Sequence, residues 1–254
     1  NKQKMKIKLL GLLGLLISFS GYSQVRLAKI FGDHMVLQRS QPVMNWGWSS
    51  PNEKITVRIN NQVKEGKADK NGKWGVNLDP QPAGGPYDLT VAGKDSVVFH
   101  DVLIGEVWIC SGQSNMEFEL KSAMNAATEI KEADYPQIRQ IKVPKTVSLV
   151  PKEDIPSGEW TVCSSQTAGD YTAVGYFFAR EIQKRLHVPV GLINSSWGGT
   201  MVETWTSRGA FEKSPEFKTM IANVPNTDIE TMIKQRKQGL EDKVKSLEKG
   251  ITDS

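Results

Sequence analysis

Gly105-Glu106-Val107-Trp108-Ile109-Cys110-Ser111-Gly112-Gln113-Ser114-Asn115-Met116 is the stretch from which the rest of the chain is best read. Its apolar run, Val107 to Cys110, gives way to small polar residues, the pattern of a buried parallel strand that delivers a loop to one edge of a sheet. Ligand crevices form at such edges. Gly112 allows a sharp turn, which presents Ser114 with backbone amides on both sides and the side-chain amides of Gln113 and Asn115 beside it. That makes Ser114 a candidate nucleophile with oxyanion donors nearby. The same composition also describes an ordinary strand exit rich in Gly and Ser. Met116 stands where the G-x-S-x-G elbow of α/β-hydrolases requires its second glycine, so that motif is excluded.

Downstream, Val174, Phe177, Phe178, Ile182 and Leu186 fall at helical spacing, with Thr172 as N-cap and an end before Pro189. Val190 to Ile193 reads as a second short buried strand, and Asn194 to Thr200 as the Gly-bearing loop at its carboxyl end. Two loops leaving the same edge of a parallel sheet can face each other. Gly198 or Gly199 is then a candidate backbone donor to an oxyanion at Ser114, although either glycine is equally explained by a tight turn with positive φ. Between the two strands, Ser122 to Ala133 reads as a modest helix and Ile138 to Val143 as a strand. The proline-bearing segment from Pro144 to Ser157 reads as a loop long enough to border a pocket.

Upstream, the texture is different. Ile55, Val57 and Ile59 alternate with polar residues, as do Trp74, Val76 and Leu78, and again Tyr87, Leu89 and Val91. Turns are supplied by Asn60-Asn61, by Asn71-Gly72, the strongest hairpin signal of the three, and by Gly84-Gly85-Pro86. Regular turns between half-buried strands predict a β-sandwich over residues 24–101. Met44, Trp46 and Trp48 alternate too, which suits a sandwich core or an aromatic platform for a sugar. From residue 102 to 225, strand, polar loop and helix alternate, predicting an α/β layer structure with a parallel sheet, in three layers. No Gly/Ser linker separates the two parts, so Asp101 to Gly105 is expected to cross directly between packed domains. Residues 226–254 are charged, with Ile229, Ile233, Leu240, Val244 and Leu247 on one stripe, and predict an amphipathic helix.

The first 23 residues read as a signal for export. Lys2, Lys4, Lys6 and Lys8 precede an apolar stretch from Leu9 to Phe19 and small residues at Gly21 and Ser23, so cleavage is expected near Ser23 and Gln24. The stretch is short for a membrane span, and no second one follows. The formal charge of +4 lies in this segment: taking its four lysines from the 32 basic residues leaves 28 against 28 acidic ones. A net charge of zero gives no argument for nucleic acid or an anionic membrane surface as partner. Export permits a disulfide, with Cys110 and Cys163 the only candidates, while Cys110 also fits as a free, buried small hydrophobe. Two cysteines make no zinc site, and no metal or other cofactor is implied.

Gly112-Gln113-Ser114-Asn115-Met116 resembles the first block of the SGNH (GDSL-type) hydrolases, in the Gly-Gln-Ser-Asn form of the sialate O-acetylesterase family. Asp170 to Phe178 and Gly191 to Thr200 resemble the family's next two segments, in order, and the likeness covers about Val25 to Ser207. The resemblance implies an α/β SGNH-like fold and a serine esterase that removes acetyl groups from sialic acid or a related glycan through an acyl-enzyme on Ser114. It also implies that the Gly191 to Thr200 block supplies an oxyanion donor, a role that falls on Gly199 first and Gly198 second, with Gln113 and Asn115 as positioning residues. Glu203, in Met201-Val202-Glu203-Thr204-Trp205, fits either a residue that orients this loop or a helix cap. An acetylxylan-type esterase is the nearest enzymatic alternative, and a non-catalytic glycan-binding relative the alternative of another class.

A serine hydroxyl is a weak nucleophile without a base. The chain has three histidines, His34 in a turn, His100 before the domain junction and His187 near a helix end, none in a catalytic setting. The resemblance implies a catalytic His and Asp in one block near the end of such chains, and no such block is recognisable after Ser207. The expectation is the front part of a longer enzyme, with no efficient hydrolysis of its own.

Overall fold

The strand read at Val107 to Cys110 is the second half of a much longer one. In the computed structural model, which describes residues 24–148, 151–218 and 229–252, β8 runs unbroken from Ser96 to Gly112. It is preceded by β1 (Arg26–Leu27), β2 (Val36–Gln38), β3 (Val43–Trp48), β4 (Lys54–Ile59), β5 (Gln62–Lys67), β6 (Lys73–Leu78) and β7 (Gly84–Ala92). It is followed by β9 (Asp134–Lys142), β10 (Trp160–Ser164) and β11 (Val190–Ser196). The helices are α1 (Ser114–Glu117), α2 (Ala126–Lys131), α3 (Ala173–Leu186), α4 (Arg208–Lys213) and α5 (Ile229–Thr252).

One mixed sheet, in the order β10-β9-β11-β8-β7-β4-β5, carries most of the chain, and β2 adds to β8 in parallel. A three-stranded sheet, β1-β3-β6, faces it. Ile55, Val57, Trp74, Val76, Leu78, Leu89 and Val91 alternate as the sequence predicts and meet in a core between the two sheets. Ile141 and Trp160 join the same core from β9 and β10, and the Trp160 indole N–H donates to the Ile30 carbonyl at 2.8 Å. The two parts expected from the sequence therefore share one sheet and one core at their junction. The expected crossing segment, Asp101 to Gly105, lies inside β8: before it the strand pairs antiparallel with β7, after it parallel with β11.

Gly105 marks that change of partners. A β-carbon there would lie 2.1 Å from the Pro189 carbonyl oxygen, so only a glycine lets the chain entering β11 come this close. Gly105→Ala is expected to cost about 1–3 kcal/mol through overpacking, read as a lower urea midpoint at unchanged m-value.

The parallel strands β9, β11 and β8 bury α3 on one face. Val190, Leu192, Ile138 and Cys110 meet Tyr176, Ala173 and Ala179 there. Helical periodicity predicts a stripe of large residues; Phe177 and Ile182 of that stripe pack against the core, whereas Val174, Phe178 and Leu186 are exposed. The buried face consists of Tyr176 with the small residues Ala173, Gly175 and Ala179, because the helix lies so close to the sheet that a β-carbon at Gly175 would meet Cys110 Sγ at 3.0 Å. The other face of these strands is covered by the segment around residues 28–37 rather than by a third layer of helices: a β-carbon at Gly191 would strike Val36 at 2.7 Å. Cys110 and Cys163 are both buried and free. Burial pushes their thiol pKa values up, to about 11 and about 12, as expected of packed rather than reactive sulfur.

Other differences are local. Asn60-Asn61 closes the hairpin between β4 and β5, whereas Asn71-Gly72 turns the chain from β5 in the large sheet to β6 in the facing one. Gly72, at φ +81°, makes that turn, and the Asp69 carboxylate accepts the N–H groups of Asn71 and Lys73. The helix expected from Ser122 to Ala133 shrinks to α2. Trp46 and Trp48 are half-buried at the margin of the core and Met44 is exposed. The charged tail is helical in α5, with Ile233, Leu240, Val244 and Leu247 all more than half exposed along it. The expected targeting segment lies outside the described residues, and among those residues no helix is long and apolar enough to cross a membrane.

Candidate active site

β8 and β11 run in parallel register, Ser111 opposite Ser195 and Gly112 opposite Ser196, so both end at the same level. Their loops leave side by side. The Trp197 N–H donates to the Gly112 carbonyl at 2.9 Å, which pins the second loop to the first. Gly112, at φ +138°, turns the chain as the sequence predicts and starts the single turn of α1 at Ser114. Ser114 is exposed, at the mouth of an open hollow of about 470 Å³ that Glu117, Phe118, Glu119, Lys142, Lys145 and Gly198 also line. Ser111 is still part of β8.

Gly198 is the residue opposite the serine: a β-carbon on it would lie 3.7 Å from Ser114 Cα. Its N–H is already taken, donating to Glu117 Oε2 at 2.6 Å, so Gly198 is not a free oxyanion donor. Gly199 follows at φ +75°, with open space where a side chain would be, and its N–H makes no hydrogen bond among the described residues. Of the two expected donors, only Gly199 has an amide to give. Gln113 and Asn115 are exposed beside Ser114 with no side-chain hydrogen bond among the described residues.

Glu117 is the residue that sequence reading passed over. Ser-x-x-Glu is the spacing of a capping box, in which the glutamate accepts a backbone N–H near its own helix start. Here the carboxylate accepts from the facing loop instead and pairs with Lys145. Those two partners, Lys145 first and then the Gly198 amide, hold the Glu117 pKa below the ordinary carboxylate value. Glu119 is likewise held low: burial pushes it up, but Lys121 and Lys142 outweigh burial. The floor of the hollow is thus a pair of ionised carboxylates tied to lysines. Glu203 lies in a 3-10 turn at Val202–Trp205, with no ion pair among the described residues, so neither expected role finds a contact.

No histidine reaches Ser114. His34 Nδ1 lies 2.6 Å from Asp101 Oδ2, and Asp101 also pairs with the buried Arg139 at 2.9 Å. This His-Asp pair sits in the first half of β8, and Gly112 follows Asp101 by eleven residue steps along the strand, roughly 35 Å at strand spacing. His100 pairs with Asp88 at the same remote end. His187 caps α3 in a left-handed conformation just before β11, the whole length of that strand from the loop at Trp197. Among the described residues no group of His, Cys, Asp and Glu is arranged to hold a metal.

The family model of carbohydrate esterase, sialic acid-specific acetylesterase, matches residues 104–246, which include both loops. The sialate O-acetylesterase of Pongo abelii is 34% identical over 203 residues, 72% of this chain and 39% of that protein. That of Rattus norvegicus is 32% identical over 247 residues, 87% of this chain and 44% of that protein. Among solved structures, a carbohydrate acetylesterase from Xanthomonas citri superposes with a TM-score of 0.72 at 42% identity, over 73% of this chain and 43% of that one. The chain spans about two fifths of the length of these relatives. It belongs to the carbohydrate esterase family of sialic acid-specific acetylesterases.

Proposed function

We propose that this chain carries the nucleophile half of an exported O-acetyl sugar esterase. Ser114 Oγ attacks the acetyl carbonyl as its proton passes to a base. The tetrahedral oxyanion accepts the Gly199 N–H, and collapse breaks the ester bond, returning the proton to the departing sugar hydroxyl. Water then hydrolyses the acetyl-serine and releases acetate. The observation that carries this reading is the approach of the two loops, with Gly198 against Ser114 and the adjacent Gly199 amide making no hydrogen bond among the described residues.

Glu117 acts as a positioning residue: by holding the Gly198 N–H it anchors the loop at the peptide just before the one that carries the Gly199 N–H. Residues 1–23 direct export, so the mature protein starts at Gln24. The base and its carboxylate partner come from outside this segment, because every histidine in it lies at a remote position. That same absence is what favours the other reading, a glycan-binding relative without catalysis.

The test uses the full-length protein and an aryl acetate. Gly199→Val is expected to lower kcat about 100-fold, the loss of one oxyanion donor being worth ~3 kcal/mol, while the melting temperature falls only slightly. The open space at this position leaves only backbone strain from its positive φ as a folding cost. An equal fall in rate and stability would return Gly199 to a purely structural role, and a full-length protein inert towards acetyl esters would favour the glycan-binding reading.

A further inference from the structure

A second hollow, of about 480 Å³, opens beside the serine loop at the carboxyl ends of β9 and β11, where α/β sheets place their ligands. Three indoles line it, Trp46 from β3, Trp197 from the Gly-bearing loop and Trp205 from the turn after it. Lys145 lines both this hollow and the one at Ser114, and its ammonium lies 5.8 Å from the centre of the Trp197 ring. The two hollows therefore share Lys145, and Trp197 of the second is the chain neighbour of Gly198 in the first.

We infer that this second hollow is the sugar subsite, holding the pyranose ring of a glycan whose acetyl group lies at Ser114. The inference rests on the esterase reading above and adds to it the residues that grip the sugar. Indole faces give a pyranose ring apolar area at low entropic cost, and their N–H edges and nearby polar groups take its hydroxyls. The half-buried Ser195 hydroxyl, which also lines the hollow, makes no hydrogen bond among the described residues. The acids at the rim are already engaged, Asp154 with the Lys29 N–H at 2.7 Å and Glu153 with Lys73 at 2.6 Å. Lys145 is engaged by Glu117. Ring stacking and hydroxyl contacts, together with the exposed Lys152 ammonium, which makes no ion pair among the described residues, set what this hollow accepts. Trp205 is held in place by its indole N–H, which donates to Thr200 Oγ1 at 2.8 Å.

The experiment measures binding, so it does not depend on turnover. N-acetylneuraminic acid and xylobiose, one acidic and one neutral, are titrated by calorimetry into the full-length protein, into Ser114→Ala, Trp205→Ala and Trp205→Phe. At least one sugar is expected to bind the wild type and Ser114→Ala equally. Trp205→Ala should weaken it about tenfold or more, as truncation of a central aromatic contact does, while Trp205→Phe, which keeps an aromatic face, retains most of the affinity. A circular-dichroism melt checks that Trp205→Ala is folded. If neither sugar binds, or if Trp205→Ala in its folded state binds as well as wild type, the subsite is overturned. A Ser114→Ala protein that binds sugar normally but still cleaves acetyl esters would instead overturn Ser114 as the nucleophile and leave the subsite standing.

Discussion

Ser114→Ala in the full-length protein should lose about 10⁴-fold or more of its acetyl-ester turnover while keeping its melting temperature. Removing the nucleophile of a serine hydrolase leaves only the residual rate due to binding and the oxyanion donor. Stability is spared because the side chain is exposed and makes no hydrogen bond among the described residues. Ser111→Ala is the control. That residue is still in β8, before the Gly112 turn, and its loss should leave the rate near wild type. A Ser114→Ala protein with near-normal turnover would move the nucleophile elsewhere.

The largest loss of stability is expected from Asp101→Ala. Arg139 has a side chain only 5% exposed, and its guanidinium is neutralised by the Asp101 carboxylate. Removing one partner of a buried ion pair typically costs ~3–5 kcal/mol; because the Asp101 carboxylate is 33% exposed, about 2–3 kcal/mol is expected here. Asp101 also holds a left-handed backbone at φ +56°, which alanine tolerates less well than aspartate. Asp101→Asn keeps both the conformation and a hydrogen-bonding side chain and should cost less. The pair also predicts a pH dependence. Burial pushes the Asp101 pKa up, but hydrogen bonds from His34 and Arg139 and the Arg139 charge outweigh it, so the folded-state value lies below the ordinary 3.8. Its stabilisation is therefore fully present above about pH 4 and is lost as the pH falls through the folded-state value. Urea midpoints measured from pH 7 down to pH 3 should converge between wild type and Asp101→Asn at the acid end. Parallel curves would mean that the Asp101 charge contributes nothing.

What the sequence made legible was local in origin. Alternation located β4 and β6 to the residue or nearly so, and the apolar run ending in Gly112 located both the carboxyl end of β8 and the turn to Ser114. Features set by distant partners were not legible. Nothing in Ser96 to Gly112 says that one strand serves β7, β2 and β11, because that depends on these strands arriving at different parts of it. Periodicity finds Phe177 and Ile182 of the buried face of α3 but not Gly175 and Ala179, which close packing on the sheet selects. Gly198 and Gly199 look alike in sequence. They are told apart only by Glu117, whose carboxylate reaches 81 residues along the chain to occupy one amide and leave the other.

The most direct measurement of the central claim is the site of covalent labelling by an alkyl fluorophosphonate, in which an activated serine oxygen displaces fluoride from phosphorus. The full-length protein is labelled, digested with trypsin, and the peptide from Asp95 to Lys121 is fragmented in the mass spectrometer, since it contains Ser96, Ser111 and Ser114. The account predicts one phosphonyl group, on Ser114, with acetyl-ester turnover falling in proportion to its formation. A label on Ser111 or on a serine outside this peptide, or full turnover by protein labelled at Ser114, would contradict it.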